Sequence, residues 1–228
     1  VFYKVSEEDE FLFKGKRKRL VEQLTVKGIK NEKVLAAIGK IPRHLFFDHT
    51  TTRNDPKLEH AYSDKAMPIG AGQTISHPYT VAFQTEQLDL HPGEKVLEIG
   101  TGCGYQTAVL LEMGVKVFSI ERQKTLFDKT KLFLPYLGYS SAKLVYGDGY
   151  KGLPQHAPFD KIIVTAGAPY IPNDLLVQLK IGGILLIPLG EGKSQEMVWL
   201  KKISETSFDK KTLGNFSFVP LLQNKSGI

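Results

Sequence analysis

A chain of 228 residues with 42% hydrophobic content can bury a sizeable core and is most simply one enlarged α/β domain rather than two. The single Cys103 excludes an intrachain disulfide and a cysteine-rich zinc site; with no apolar signal segment in view, the expectation is a reducing cytoplasm. A monomer and no bound metal are expected besides. No stretch approaches the ~20 apolar residues of a membrane span, and the net charge of +6 is the only hint of an anionic partner.

That charge has a local source in Lys14, Lys16, Arg17, Lys18 and Arg19, which read as the solvated start of a helix. Nucleic-acid binding would want interleaved aromatics or a known module, and neither is visible. The opening Val1 suggests a trimmed start. Helices are expected over 16–27 and 31–39, the first stopped by Gly28 and the second started by Asn31, with Pro42 ending the pair. Residues 40–66 read as a long loop with one helical turn. Ser76-His-Pro-Tyr opens a helix through about Leu88, serine being a good N-cap and proline tolerated in the first turn. His91-Pro-Gly then turns the chain into an alternation: strand 96–99, helix from about Tyr105, strand 115–120, helix 123–134, strands 142–146 and 160–165, helix 172–180, strand 184–188. Such alternation builds a doubly wound, mostly parallel sheet. Residues 196–203 and 215–221 read as two antiparallel edge strands at the C-terminus. The division is 1–66 for the N-terminal helical accessory layer and loop, 67–90 for a substrate and cofactor segment with its helix, and 91–228 for a Rossmann-like core.

The most informative stretch is Val96-Leu-Glu-Ile-Gly-Thr-Gly-Cys-Gly, a buried strand carrying an acid and running into three alternating glycines. A strand buried on both faces has little use for an acid at Glu98 unless a ligand meets it. Gly100, Gly102 and Gly104 let the backbone turn sharply and approach a cofactor with no Cβ in the way. The dinucleotide fingerprint wants glycine at its first, third and sixth positions; counted from Gly100 the sixth is Tyr105, and counted from Gly102 it is Thr107, so it fails in either register. Glu121 closes the next strand about 20 residues on, where an acid accepts hydrogen bonds from ribose hydroxyls. An adenosine cofactor without a pyrophosphate follows, and S-adenosyl-L-methionine fits best.

The laid-out residues closely resemble the protein-L-isoaspartate (D-aspartate) O-methyltransferases from about Lys16 to Leu222. The resemblance rests on Pro68-Ile-Gly-Ala-Gly-Gln-Thr-Ile-Ser-His-Pro-Tyr, the glycine loop through Ala108, Gly147-Asp-Gly, Ala157-Pro-Phe-Asp-Lys-Ile-Ile-Val-Thr-Ala, Gly182-Gly through Pro188, and Phe218-Val-Pro-Leu. The glycine loop alone says only methyltransferase, whereas Gly-Gln-Thr-Ile-Ser is far more specific. Three departures are visible: Cys103 where serine is usual, Gly167 where alanine is usual, and a lengthened 48–60 loop.

The resemblance implies a Rossmann-like S-adenosylmethionine-dependent methyltransferase acting on isoaspartyl proteins and peptides, with no nucleic acid or membrane involved. It implies an active-site role for Ser76, whose plain alternative is a helix cap. Gln73, Thr74, Ile75 and Ser76 become a cofactor and substrate wall; Glu98 meets the methionine portion, and Asp148, between Gly147 and Gly149, meets adenine. For Asp148 the plain alternative is an Asx turn. Thr165, Ala166, Val219 and Leu221 are the implied substrate contacts. Cys103 reads as a small residue in a tight turn rather than a reactive thiol, and His44 and His77 as structural. The competing functions are a methyltransferase for a small molecule or another protein site, and a binding protein that has kept the fold.

Overall fold

The computed structural model describes residues 7–47, 58 and 60–227. Helix α1 (Glu7–Val26) starts well before residue 16, and Gly15 costs only about 1 kcal/mol inside so long a helix. Gly28, at φ +100°, turns the chain back. The Asn31 side chain then caps α2 (Glu32–Lys40) by accepting from the Lys33 and Val34 amides at 3.0 and 3.2 Å. Leu20, Leu24, Val34 and Ile38 are buried between the two. One member of the basic run is not solvated as expected: Arg17 is buried, its Nη1 directed to the Tyr62 hydroxyl at 3.4 Å. His44 is structural, stacked on Phe13 and hydrogen-bonded to Tyr62 at 2.6 Å. It lies on a single 3-10 turn, Arg43–Phe46. Most of the lengthened 48–60 loop lies outside the described residues.

A hairpin precedes the main sheet, β1 (Met67–Gly70) with β2 (Gln73–Ile75), closed by Ala71 and Gly72 at positive φ. Strands this short show no legible alternation, so the sequence analysis assigns them no secondary structure. Helix α3 (Pro78–Gln87) follows, and here the expected cap fails. His77 occupies the N-cap position without a side-chain bond, and the first-turn amide of Tyr79 is satisfied instead by Asp64 at 2.8 Å. The Ser76 hydroxyl is thereby left for the space in front of it.

The chain continues as β3 (Lys95–Ile99), α4 (Tyr105–Glu112), β4 (Lys116–Glu121), α5 (Lys124–Tyr136), β5 (Lys143–Tyr146), β6 (Phe159–Val164), α6 (Asn173–Gln178), β7 (Leu179–Leu189), β8 (Gln195–Lys202) and β9 (Phe208–Phe216). Strand order is β5-β4-β3-β6-β7-β8-β9, parallel through β7 and antiparallel thereafter. Side chains alternate across β3: Val96 joins the core beneath the N-terminal layer and α3 to α5, while Leu97 and Ile99 join the one beneath α6. With cover on both faces, the sheet needs continuous apolar strands, which is what the sequence shows. The last strand lies at 208–216, not 215–221; the exposed, lysine-rich stretch before Phe216 makes an edge strand through its backbone alone. The order reverses between β3 and β6, and at their carboxyl ends the strands part to leave a crevice.

Candidate active site

Between Ile99 and Tyr105 the chain must leave β3 and start α4, and its three glycines do three different jobs. Gly100 has φ +100°, and a Cβ there would stand 2.5 Å from the Thr165 hydroxyl, which reaches the carbonyls of Ile99 and Gly100 at 2.9 and 2.8 Å. Gly104, at φ +86°, would press a Cβ into Thr130 and Leu134 at 2.9 and 3.0 Å, so it serves the packing of α5. Gly102, at φ +55°, faces only Ile69 at 3.3 Å and gives its amide to Glu121 Oε2 at 2.8 Å.

Glu121 ends β4 and is buried; its other oxygen accepts from the Gln123 amide at 2.7 Å. Burial raises its pKa while these backbone amides oppose the rise. A carboxylate has about four lone-pair positions, so Glu121 keeps capacity to accept from a ribose hydroxyl. That spare capacity beside an open glycine is the fit expected for an adenosine cofactor.

These groups line a cleft that is open to solvent. Gln73, Thr74, Ile75 and Ser76 form one wall, and Gly100, Gly102, Glu121 and Gly149 form the floor. Thr165, Ala166, Val219 and Leu221 form the opposite wall. The last pair is held by a backbone zipper: the Gly167 amide donates to Val219 at 2.8 Å, and the Leu221 amide to Gly167 at 2.7 Å. Gly167 itself makes room, because a Cβ there would stand 2.8 Å from the Gln195 side chain. Gln195 uses that space to accept from the Phe218 amide at 2.8 Å, so the departure at Gly167 is matched by a contact.

Four expected residues are not in the cleft wall. Gly104 and Gly147 pack against α5 and Ile120. Asp148 builds the Asx turn, accepting from Tyr150 at 3.0 Å, and it also holds the Asn224 amide at 2.9 Å. Glu98 lies wholly buried beneath the glycine loop, hydrogen-bonded by the Thr107 hydroxyl at 2.5 Å with its second oxygen unpartnered. Conversely, Tyr105, Gln106 and Arg122 line the cleft. They adjoin the glycines and Glu121 in sequence, and that adjacency was the only available signal. Cys103 also lines it, with burial pushing its thiol up to about 11, too high for a thiolate at neutral pH.

Glu98 gives a stability prediction. Burial raises its pKa to about 8, against a usual 4.5. Between those values the native state keeps a proton that the unfolded chain has lost, so unfolding releases it and stability falls as pH rises, levelling off above about 8. Glu98→Gln keeps an acceptor for Thr107 and cannot ionise. Urea unfolding of the ligand-free protein should show the variant gaining on the parent by a few kcal/mol between about pH 5 and pH 8.5. Parallel pH profiles for the two proteins would contradict this.

Comparison with known proteins agrees with the geometry. A family model described as Protein-L-isoaspartate(D-aspartate) O-methyltransferase matches residues 15–226. The chain is 57% identical over 218 residues to a protein-L-isoaspartate O-methyltransferase of Christiangramia forsetii, covering 96% of this chain and 99% of that one. It is 58% identical over 212 residues to the protein of that name from Flavobacterium psychrophilum, with 93% and 96% covered. Among solved structures, a protein-L-isoaspartate O-methyltransferase superposes with TM-score 0.81 at 28% identity, over 91% of this chain and 66% of that one. One from Plasmodium falciparum, described as putative and bound to S-adenosyl-L-homocysteine, gives TM-score 0.77 at 25% identity, over 91% and 99%.

Proposed function

The chain belongs to the protein-L-isoaspartate(D-aspartate) O-methyltransferase family, and we propose that it methylates the free α-carboxylate of L-isoaspartyl residues in damaged proteins and peptides, using S-adenosyl-L-methionine. The observation that carries this reading is the cleft in which a Glu121-anchored glycine loop faces Ser76 and the zippered Val219–Leu221 segment. On this reading the protein is a cytoplasmic monomer. Among the described residues no helix is long and apolar enough to cross a membrane.

The cofactor, when bound, supplies a methyl group already activated on a sulfonium, which leaves positioning and charge management to the protein. Gly102 and Glu121 would hold the nucleoside. A carboxylate acceptor ordinarily titrates near pH ~4, so it is ionised at neutral pH and needs no general base; among the described residues the cleft wall carries no histidine or lysine. Holding the acceptor oxygen oriented for reaction can remove several kcal/mol of the barrier. Neutral donors suit that task better than a cationic clamp, which would draw electron density from the attacking oxygen. The Ser76 hydroxyl is such a donor, and it is not committed to α3.

Ser76→Ala should therefore lower turnover by about tenfold or more, the cost of one hydrogen bond to a charged group, with cofactor affinity nearly unchanged. Because the hydroxyl caps no helix, the melting temperature should stay close to that of the parent. Steady-state kinetics, calorimetry and thermal unfolding check the three parts, and parental turnover would remove Ser76 from the active site. The function itself is tested by radiolabelled methyl transfer from S-adenosylmethionine to an isoaspartyl peptide. Incorporation that is released by mild base is expected, and none at any enzyme concentration would overturn the reading.

A further inference from the structure

Arg43 is a guanidinium only 1% exposed, and among the described residues no carboxylate pairs with it. Burying such a charge costs several kcal/mol unless it is well bonded. Methionine would fill the space without that penalty. What the guanidinium adds is its fork of donors. Nε donates to the Ala61 carbonyl at 3.0 Å, and Nη2 donates to the Ser76 carbonyl at 2.8 Å. Nη2 also lies 3.4 Å from the Lys65 carbonyl. The plane sits over Tyr105, with Cζ 4.7 Å from the ring centroid. Two of these contacts join the N-terminal layer to the cleft: Ser76 and Tyr105 both line it, while Arg43 itself does not.

Ser76 needs such a tie. It follows the short β2, precedes the first residue of α3 by two positions, and has no cap bond to fix it. A hydroxyl on a free linker would spend much of its time out of reach of an acceptor. We propose that Arg43 is a positioning residue for methyl transfer: by holding the Ser76 carbonyl and bearing on Tyr105, it aims the Ser76 hydroxyl at the acceptor carboxylate. This rests on the reading of Ser76 as an active-site donor. It also explains how a cation can serve an anionic acceptor without clamping it, since the charge acts one residue behind the neutral donor.

The test is a double-mutant cycle in kcat for an isoaspartyl peptide, using the parent, Arg43→Lys, Ser76→Ala and the double variant. Lysine keeps the charge and loses the fork. Cofactor affinity by calorimetry and the melting temperature are measured on each, with kinetics run well below every melting point. Arg43→Lys should cost about tenfold in kcat in the parent and less than about twofold in the Ser76→Ala background, with the cofactor Kd moving by less than about threefold. A purely architectural arginine would instead cost the same factor in both backgrounds, and that result overturns the proposal, as does no loss in the parent. Parental turnover in Ser76→Ala alone would overturn the reading of Ser76 and this proposal with it, whereas a slow Ser76→Ala with additive Arg43→Lys losses overturns the proposal only. Arg43→Gln, with one planar donor group and no charge, takes the place of lysine in the same cycle if the lysine variant does not fold.

Discussion

Gly102→Val should abolish measurable binding of S-adenosylmethionine by a protein that still folds. The position has φ +55°, where a β-branched side chain is strained by roughly 1–3 kcal/mol. Its Cβ would already stand 3.3 Å from Ile69, so the γ-methyls are driven toward the cleft rather than the hairpin. Any backbone relief moves the Gly102 amide away from Glu121 Oε2 and frees the carboxylate from the place where it can meet a ribose. Steric block, strain and the lost anchor act in one direction, and an affinity loss of at least about a hundredfold, some 3 kcal/mol, is expected in calorimetry. Gly138→Val is the control: φ there is +89° with open space around it, and the residue is not part of the cleft wall. It carries the same kind of backbone strain and should bind the cofactor as the parent does. If Gly102→Val bound within about threefold of the parent, the nucleoside would not lie on this loop.

The parallel core and the glycine loop were legible because both are written locally. Apolar runs at 96–99 and 160–165 and the glycines at 100, 102 and 104 impose conformations that neighbours cannot override. What distance decides was less legible. Whether Ser76 caps α3 depends on Asp64 taking the first-turn amide. Whether Arg17 is solvated depends on Tyr62, far along the chain. The hairpin at 67–75 was invisible for another reason, its strands being too short for a period to repeat. Among the site residues, Glu121 could be placed from the sequence because a strand end fixes it. Asp148 carries a contact that no local signal announces, since its second oxygen also accepts from the Asn224 amide of the C-terminal tail. The same limit hid the meaning of Gly167, a departure that only becomes sensible beside Gln195.

Matched isoaspartyl and aspartyl peptides should differ by roughly a hundredfold or more in kcat/KM, the isoaspartyl form being the substrate. In the isomerised linkage the main chain runs through the side-chain carbonyl, and the α-carboxylate hangs directly from Cα. In the ordinary residue the free carboxylate sits one methylene further out. A hydrophobic pocket separates one methylene by only ~1–3 kcal/mol. This cleft has a different means of discrimination, because the donor and the segment beside the peptide are each tied to the fold by hydrogen bonds. Ser76 is tied through its carbonyl to Arg43, and Val219 and Leu221 are zippered to Gly167. A carboxylate displaced by a methylene either misses the Ser76 donor or misplaces the peptide backbone against the opposite wall, and either fault removes the in-line geometry on which the rate depends. Recognition by main-chain geometry also predicts breadth: unrelated sequences around an isoaspartyl residue should be methylated at similar rates. Their product esters should be lost readily in mild base as the succinimide closes. Equal labelling of the two isomers would leave a general carboxyl methyltransferase and would mean that these ties do not set where donor and peptide backbone meet.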